Sequence, residues 1–247
     1  SSVQARASDI RFKSPLERGI LIRRYKRFLA DVTLMDGSET TVHVPNPGAM
    51  LGLATPGLPV WLSRSPEPKR KLPLTLEAVE LPDAGPVGAN TLNPNRIAEA
   101  AIPRGEVPEL GGYPILRREV RYDVDSRIDI LLQSDPDARQ RPSCWVEIKN
   151  CHFSRTPGLA EFPDCRTERG VKHLKALERV VAAGGRAVML FIVQRMDCEI
   201  FTTADDIDRA YGPALREAAS RGVEVLCYSC HLTPEAIRLD RALPWRP

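Results

Sequence analysis

The spacing of apolar and polar positions changes part-way along the chain. In the first eighty residues the apolar positions come in short β-rich runs, at 20–25, 28–35, 40–44, 59–63 and 72–81. Runs of that length and composition, bounded by turn residues, predict strands. Asp36-Gly37 predicts a hairpin, and Pro45-Asn46-Pro47-Gly48 and Pro56-Gly57 predict loops. Five short strands with little helix predict a small barrel of the OB type. Within the first run, Ile20, Leu21, Ile22, Tyr25 and Phe28 alternate with basic residues. A strand with those apolar side chains turned inward would line Arg and Lys along its outer face.

Residues 81–88 (LPDAGPVG) are rich in Pro and Gly and are the natural linker. Beyond them helical periods enter. Asn93 as N-cap and Pro94 in the first turn open a short helix that Pro103 stops. Strands are predicted at 115–122, 127–133 and 144–150. A helix follows at 167–183, with Val171, Leu174, Leu177 and Val181 on one face and Gly184-Gly185 after it. The buried-type strand 187–194, a helix at 213–221 and a strand at 223–228 complete the pattern. The expected fold is α+β with two domains: an N-terminal OB-like β-barrel (1–85) and a C-terminal α/β domain (86–247).

Composition then narrows the class. The chain has 247 residues, 43% of them hydrophobic and 27% charged, which excludes a disordered tail. No run approaches the roughly 18 apolar residues of a membrane span, and SSVQARASD is not a signal peptide. No membrane partner is expected. A cytoplasmic location, with the six cysteines as reduced thiols, is the expectation. The net charge of +3 is uninformative until it is divided. Between Arg11 and Arg27 there are seven basic residues and one acid, whereas residues 86–247 hold 23 of each sign. Arg23, Arg24, Lys26 and Arg27, with the later cluster Lys69-Arg70-Lys71, are therefore either a solvated face or a stripe for a nucleic-acid backbone.

The chemistry concentrates at SRIDILL (126–132) and VEIK (146–149). Glu147 and Lys149 are two apart and share a strand face. A symmetric hairpin centred near Ala138 would set Asp129 opposite Glu147. Two opposed carboxylates repel unless a cation lies between them, and a divalent ion such as Mg²⁺ or Mn²⁺ suits all-oxygen donors. Asp129 and Glu147 are the expected metal ligands, with Lys149 orienting water or steadying phosphate charge. Glu99, on the upstream helix, is the expected third carboxylate and Glu119 its alternative. A helix, an Asp strand, a Glu-x-Lys strand and a second helix follow the order of the PD-(D/E)xK nuclease core. Arg169 and His173, four apart on the second helix, could reach one phosphate, and Gln194 and Arg195 close the apolar strand beside them. Cys227-Tyr228-Ser229-Cys230-His231 matches a haem-attachment pattern, but without an export signal free thiols are expected.

The sequence also resembles the sugar fermentation stimulation protein A family. RYKRFLADV (24–32), HVPNPGAM (43–50), RKLPLTLEAVE (70–80), GANTLNPN (88–95), SRIDILL (126–132), VEIKN (146–150), FPDCRTERGVKHL (162–174) and FIVQR (191–195) carry the resemblance. It implies an OB domain followed by a restriction-endonuclease-like domain. It also implies sequence-non-specific DNA binding and a regulatory role in sugar metabolism, maltose in particular. Asp129, Glu147 and Lys149 take the family's acidic and lysine positions, and Arg169, Lys172 and His173 its basic helix. The resemblance leaves two functions open: a divalent-metal-dependent nuclease, or a DNA-binding regulator with a vestigial nuclease core. RNA as substrate and the oligomeric state, a homodimer included, are open as well.

Overall fold

The computed structural model describes residues 4–137 and 141–247, so the hairpin centre expected near Ala138 lies outside the described residues. The chain begins with β1 (Ile10–Arg11), then builds the barrel from β2 (Glu17–Tyr25), β3 (Leu29–Leu34), β4 (Glu39–His43), β5 (Pro59–Arg64), β6 (Leu74–Leu81) and β7 (Gly85–Gly88). These pair in the order β4-β3-β2-β5-β6-β7, and a parallel bridge from His43 to Thr75 closes the ring. Its core is the inward set Leu21, Val32, Val42, Val60, Leu62, Leu76 and Val79. The Asp36-Gly37 hairpin forms as expected, with Gly37 at φ 86°, a conformation that favours glycine.

Two expectations for this half are corrected. Only Leu21 of the Ile20–Leu21–Ile22 run is fully buried. Ile20 is 41% exposed, and a β-bulge between Leu21 and Arg23 resets the alternation. The predicted linker 81–88 is instead the β6–β7 hairpin, in which Leu81 pairs with Gly85 and Ala78 with Gly88. Gly88 passes directly against the Gln194 side chain, where a Cβ would collide, and its N–H donates to the Gln194 carbonyl at 2.8 Å.

The remaining elements are α1 (Asn93–Ala101), β8 (Ile115–Asp123), β9 (Ser126–Gln133), β10 (Cys144–Cys151), β11 (Phe153–Thr156), β12 (Leu159–Phe162), α2 (Glu168–Ala182), β13 (Arg186–Val193), β14 (Ile200–Thr203), α3 (Tyr211–Ser220), β15 (Glu224–Leu232) and β16 (Ala236–Ala242). A seven-stranded sheet runs β1-β16-β15-β13-β10-β9-β8, so the first strand of the chain joins the sheet of the second half. The central strands β10, β13 and β15 are parallel. They are covered on both faces, which is why β13 reads as the unbroken apolar run AVMLFIV. Ile97, Ala98 and Ala101 of α1 pack on one face together with Trp61 and Ala78 of the barrel. Leu174 and Leu177 of α2 and Leu215 of α3 pack on the other. A small sheet, β11-β12-β14, flanks these layers.

Thr167 caps α2, its hydroxyl accepting from Gly170 N–H at 3.0 Å. Asn93 does not cap α1. Its side chain is buried and donates to Glu77 Oε2 at 3.3 Å. Glu77 itself is 6% exposed and joins the barrel to the second half. Its Oε1 accepts from Ser63 at 2.9 Å and its Oε2 from Asn90 at 3.0 Å. Burial raises the Glu77 pKa, and the hydrogen bonds from Asn90, Ser63 and Asn93 oppose that rise. Gln194 adds a second tie, its amide donating to the Asn90 carbonyl at 2.9 Å and to Asn150 Oδ1 at 2.8 Å.

Candidate active site

The β9–β10 ladder follows the symmetric register, with Leu132 facing Cys144, Leu131 facing Trp145 and Ile130 facing Val146. Backbone pairing stops one step before Asp129. There the Asp129 side chain stands in for a backbone acceptor, Oδ2 taking the Ile148 N–H at 2.7 Å. Its other oxygen accepts from Asn95 Nδ2 on α1 at 3.1 Å. The carboxylate is thus held from two sides at the point where the strands part.

Glu147 is 4% exposed. Its Oε1 lies 3.1 Å from His173 Nδ1 and 3.8 Å from Lys149 Nζ, while Oε2 has no hydrogen-bond partner among the described residues. Arg169 Nε donates to His173 Nε2 at 3.4 Å. Lys149 Nζ is 2.9 Å from the same Nδ1. Burial and then the Glu147 charge push the Asp129 pKa up to about 6. Burial pulls Lys149 down against the opposite pull of Glu147 and Asp129. The Tyr122 hydroxyl is buried without a partner among the described residues, and burial, Glu147 and Asp129 together raise its pKa.

These features fit a hard divalent cation. The Glu147 charge raises the proton affinity of Asp129, and one buried oxygen of Glu147 is left without a donor among the described residues. Oxygen ligands are what Mg²⁺ and Mn²⁺ prefer. Asp129 and Glu147 are the residues that would hold the ion.

The expected third carboxylate is corrected. Glu99 pairs with Arg118 at 3.3 Å, and α1 offers the neutral Asn95, one turn earlier, to Asp129. Glu119 is exposed, with φ 52°. No group of three His, Cys, Asp or Glu suited to a metal occurs among the described residues. Asn95 went unrecognised in the sequence, although its position four residues before Glu99 on one helix face was a usable signal.

The basic residues separate as well. Arg23 is exposed, 3.2 Å from Asp31 and over the Tyr25 ring at 4.4 Å. Arg24 is consumed by structure, donating to the carbonyls of Arg27, Asn46 and Gly48 at 2.9, 2.7 and 2.9 Å. Lys26 and Arg27 form the exposed β2–β3 turn at φ 49° and 64°. Lys69, Arg70 and Lys71 lie on the exposed β5–β6 loop, with Arg70 donating to Thr75 at 3.0 Å. On α2, Arg169 and Lys172 are exposed but His173 is 8% exposed, so it faces Glu147 and not solvent. Arg195 is held by Asp197 at 2.8 Å. Cys227 and Cys230 are buried, form no disulfide and lie on opposite faces of β15.

A closed OB barrel joined to a mixed sheet that carries a buried Glu between a half-buried Asp and Lys defines a restriction-endonuclease-like protein with an appended barrel. The family model described as "Sugar fermentation stimulation protein RE domain" matches residues 92–236, and "SfsA N-terminal OB domain" matches residues 22–87. The chain belongs to the sugar fermentation stimulation protein family. The Rhodospirillum centenum homolog is 57% identical over 95% of this chain and 98% of its own, and the Caulobacter vibrioides homolog 51% over 94% and 95%. The Pyrococcus furiosus structure described as SfsA in complex with Ca²⁺ matches with a TM-score of 0.84. It is 25% identical and covers 97% of this chain and 99% of its own. No helix among the described residues is long and apolar enough to cross a membrane.

Proposed function

We propose that the protein binds DNA without sequence preference and hydrolyses phosphodiester bonds at Asp129, Glu147 and Lys149 with Mg²⁺ or Mn²⁺. The observation that carries this reading is the buried Glu147, one oxygen unpartnered, beside an Asp129 whose pKa its charge helps to raise. A divalent cation held by the two carboxylates would supply Lewis acidity to the phosphoryl group. Lys149 orients the attacking water, and burial lowers the pKa of its ammonium. His173 fixes the Glu147 carboxylate, and the exposed Arg169 meets the phosphate. The calcium complex of the Pyrococcus furiosus relative supports a hard-cation site in this fold. The shared family name supports a role in regulating sugar metabolism.

One observation favours a second reading, a DNA-binding regulator with a vestigial core: the third contact to Asp129 is a neutral amide and not a carboxylate. Mg²⁺- or Mn²⁺-dependent degradation of single-stranded DNA, duplex DNA and RNA separates the two. Cleavage by the wild type, lost in Glu147→Ala and Lys149→Ala, is expected. Wild-type inactivity on every substrate, with binding retained, would establish the regulator.

A further inference from the structure

Beside α1 lies a cavity of about 320 Å³, where the N-terminal segment, the end of β5, the β5–β6 loop and α1 meet. Arg11, Lys13, Arg64, Arg70 and Arg96 line it, and Glu77 is its one lining acid. Glu77 is already engaged by Ser63, Asn90 and Asn93. Arg64 is gripped by Glu17 at 2.8 and 2.9 Å, Arg70 donates to Thr75, and Arg11 sits 4.0 Å from Asp9. The side chains of Lys13 and Arg96 make no ion pair or hydrogen bond among the described residues and are exposed. Cations drawn together from four stretches of chain repel one another, and a concave wall focuses their field. The positive end of α1 adds to it through Asn93. Such a wall favours an anion, and guanidinium groups with an ammonium suit phosphate oxygens.

Helix α1 connects this cavity to the carboxylates. Asn95 holds Asp129, and the next residue, Arg96, about 100° round the helix, lines the cavity. We propose that the cavity is a phosphate-binding subsite that seats one phosphodiester group of the strand whose scissile phosphate lies at Asp129 and Glu147. The inference rests on the nucleic-acid reading above and adds a path for the substrate.

The test is anisotropy of a labelled single-stranded oligonucleotide in EDTA over a salt series. It compares wild type, the double variant Lys13→Ala/Arg96→Ala, and Arg246→Ala as a charge control, with circular dichroism to verify folding. The double variant should bind about tenfold more weakly, with a salt slope flatter by about 0.7 for each phosphate it no longer neutralises. The control should stay within about twofold of wild type. Wild-type affinity and slope in the folded double variant would overturn the subsite. Full displacement of the oligonucleotide by adenosine monophosphate at micromolar concentration would assign the cavity to a free nucleotide and overturn the strand path. Absent metal-dependent cleavage would defeat the nuclease reading alone, because binding that depends on Lys13 and Arg96 would still support the subsite.

Discussion

Glu77 and Glu147 are equally buried, at 6% and 4% exposure, yet their surroundings differ in kind. Both oxygens of Glu77 accept from neutral donors on the barrel wall and on the segment that enters α1. No second carboxylate is among its partners within the described residues. At Glu147 one oxygen is unpartnered, and Asp129 stands close enough for its proton affinity to respond. The first arrangement completes its hydrogen bonds within the protein and serves as a tie between two halves. The second leaves one carboxylate oxygen without a hydrogen-bond partner beside a second carboxylate, an arrangement that a bound cation would complete.

The largest expected difference is in chemistry. Glu147→Gln should cut metal-dependent cleavage about 1,000-fold, or about 4 kcal/mol of barrier, in single-turnover assays. Glu77→Gln should leave the rate per folded molecule within about threefold. The order inverts for stability. Glu77→Ala strands the amides of Asn90 and Asn93 and should destabilise by about 3 kcal/mol, lowering the Tm by about 6–12 °C in thermal unfolding.

Asp129 supplies a smaller effect of opposite sign. Its folded pKa, about 6, lies above the ordinary 3.8, so its contribution to stability is full below that ordinary value. The contribution is lost as pH rises through about 6. Asp129→Asn should therefore be more stable than wild type by about 1.5 kcal/mol at pH 7.5 while losing cleavage. In urea titrations that advantage should vanish near pH 4. The smallest effect is ligand linkage: Mn²⁺ at ten times its dissociation constant should stabilise wild type by about 1.4 kcal/mol. Glu147→Gln should show no such shift.

Period and spacing were enough to read the barrel, the register of β9 against β10, and the shared face of Glu147 and Lys149. Local pattern determines each of these. The rest depends on contacts between distant segments. Nothing local marks Ile10–Arg11 as the edge of a sheet finished by Ala236–Ala242, because that pairing is fixed only when both strands exist. Arg24 reads like its neighbour Arg23, but the bulge turns it onto the Asn46–Gly48 loop. Asn93 carries the composition of a cap, and the buried Glu77 claims its amide instead. His173 belongs to a basic helix in sequence, yet α2 sets it against the sheet where Glu147 waits.

Whether Asp129 and Glu147 hold a cation together can be seen by anomalous diffraction from crystals soaked in Mn²⁺. A single strong peak, bound by one oxygen from each carboxylate, is the expected result. A well-ordered site without density there, at Mn²⁺ concentrations in the millimolar range, would contradict it.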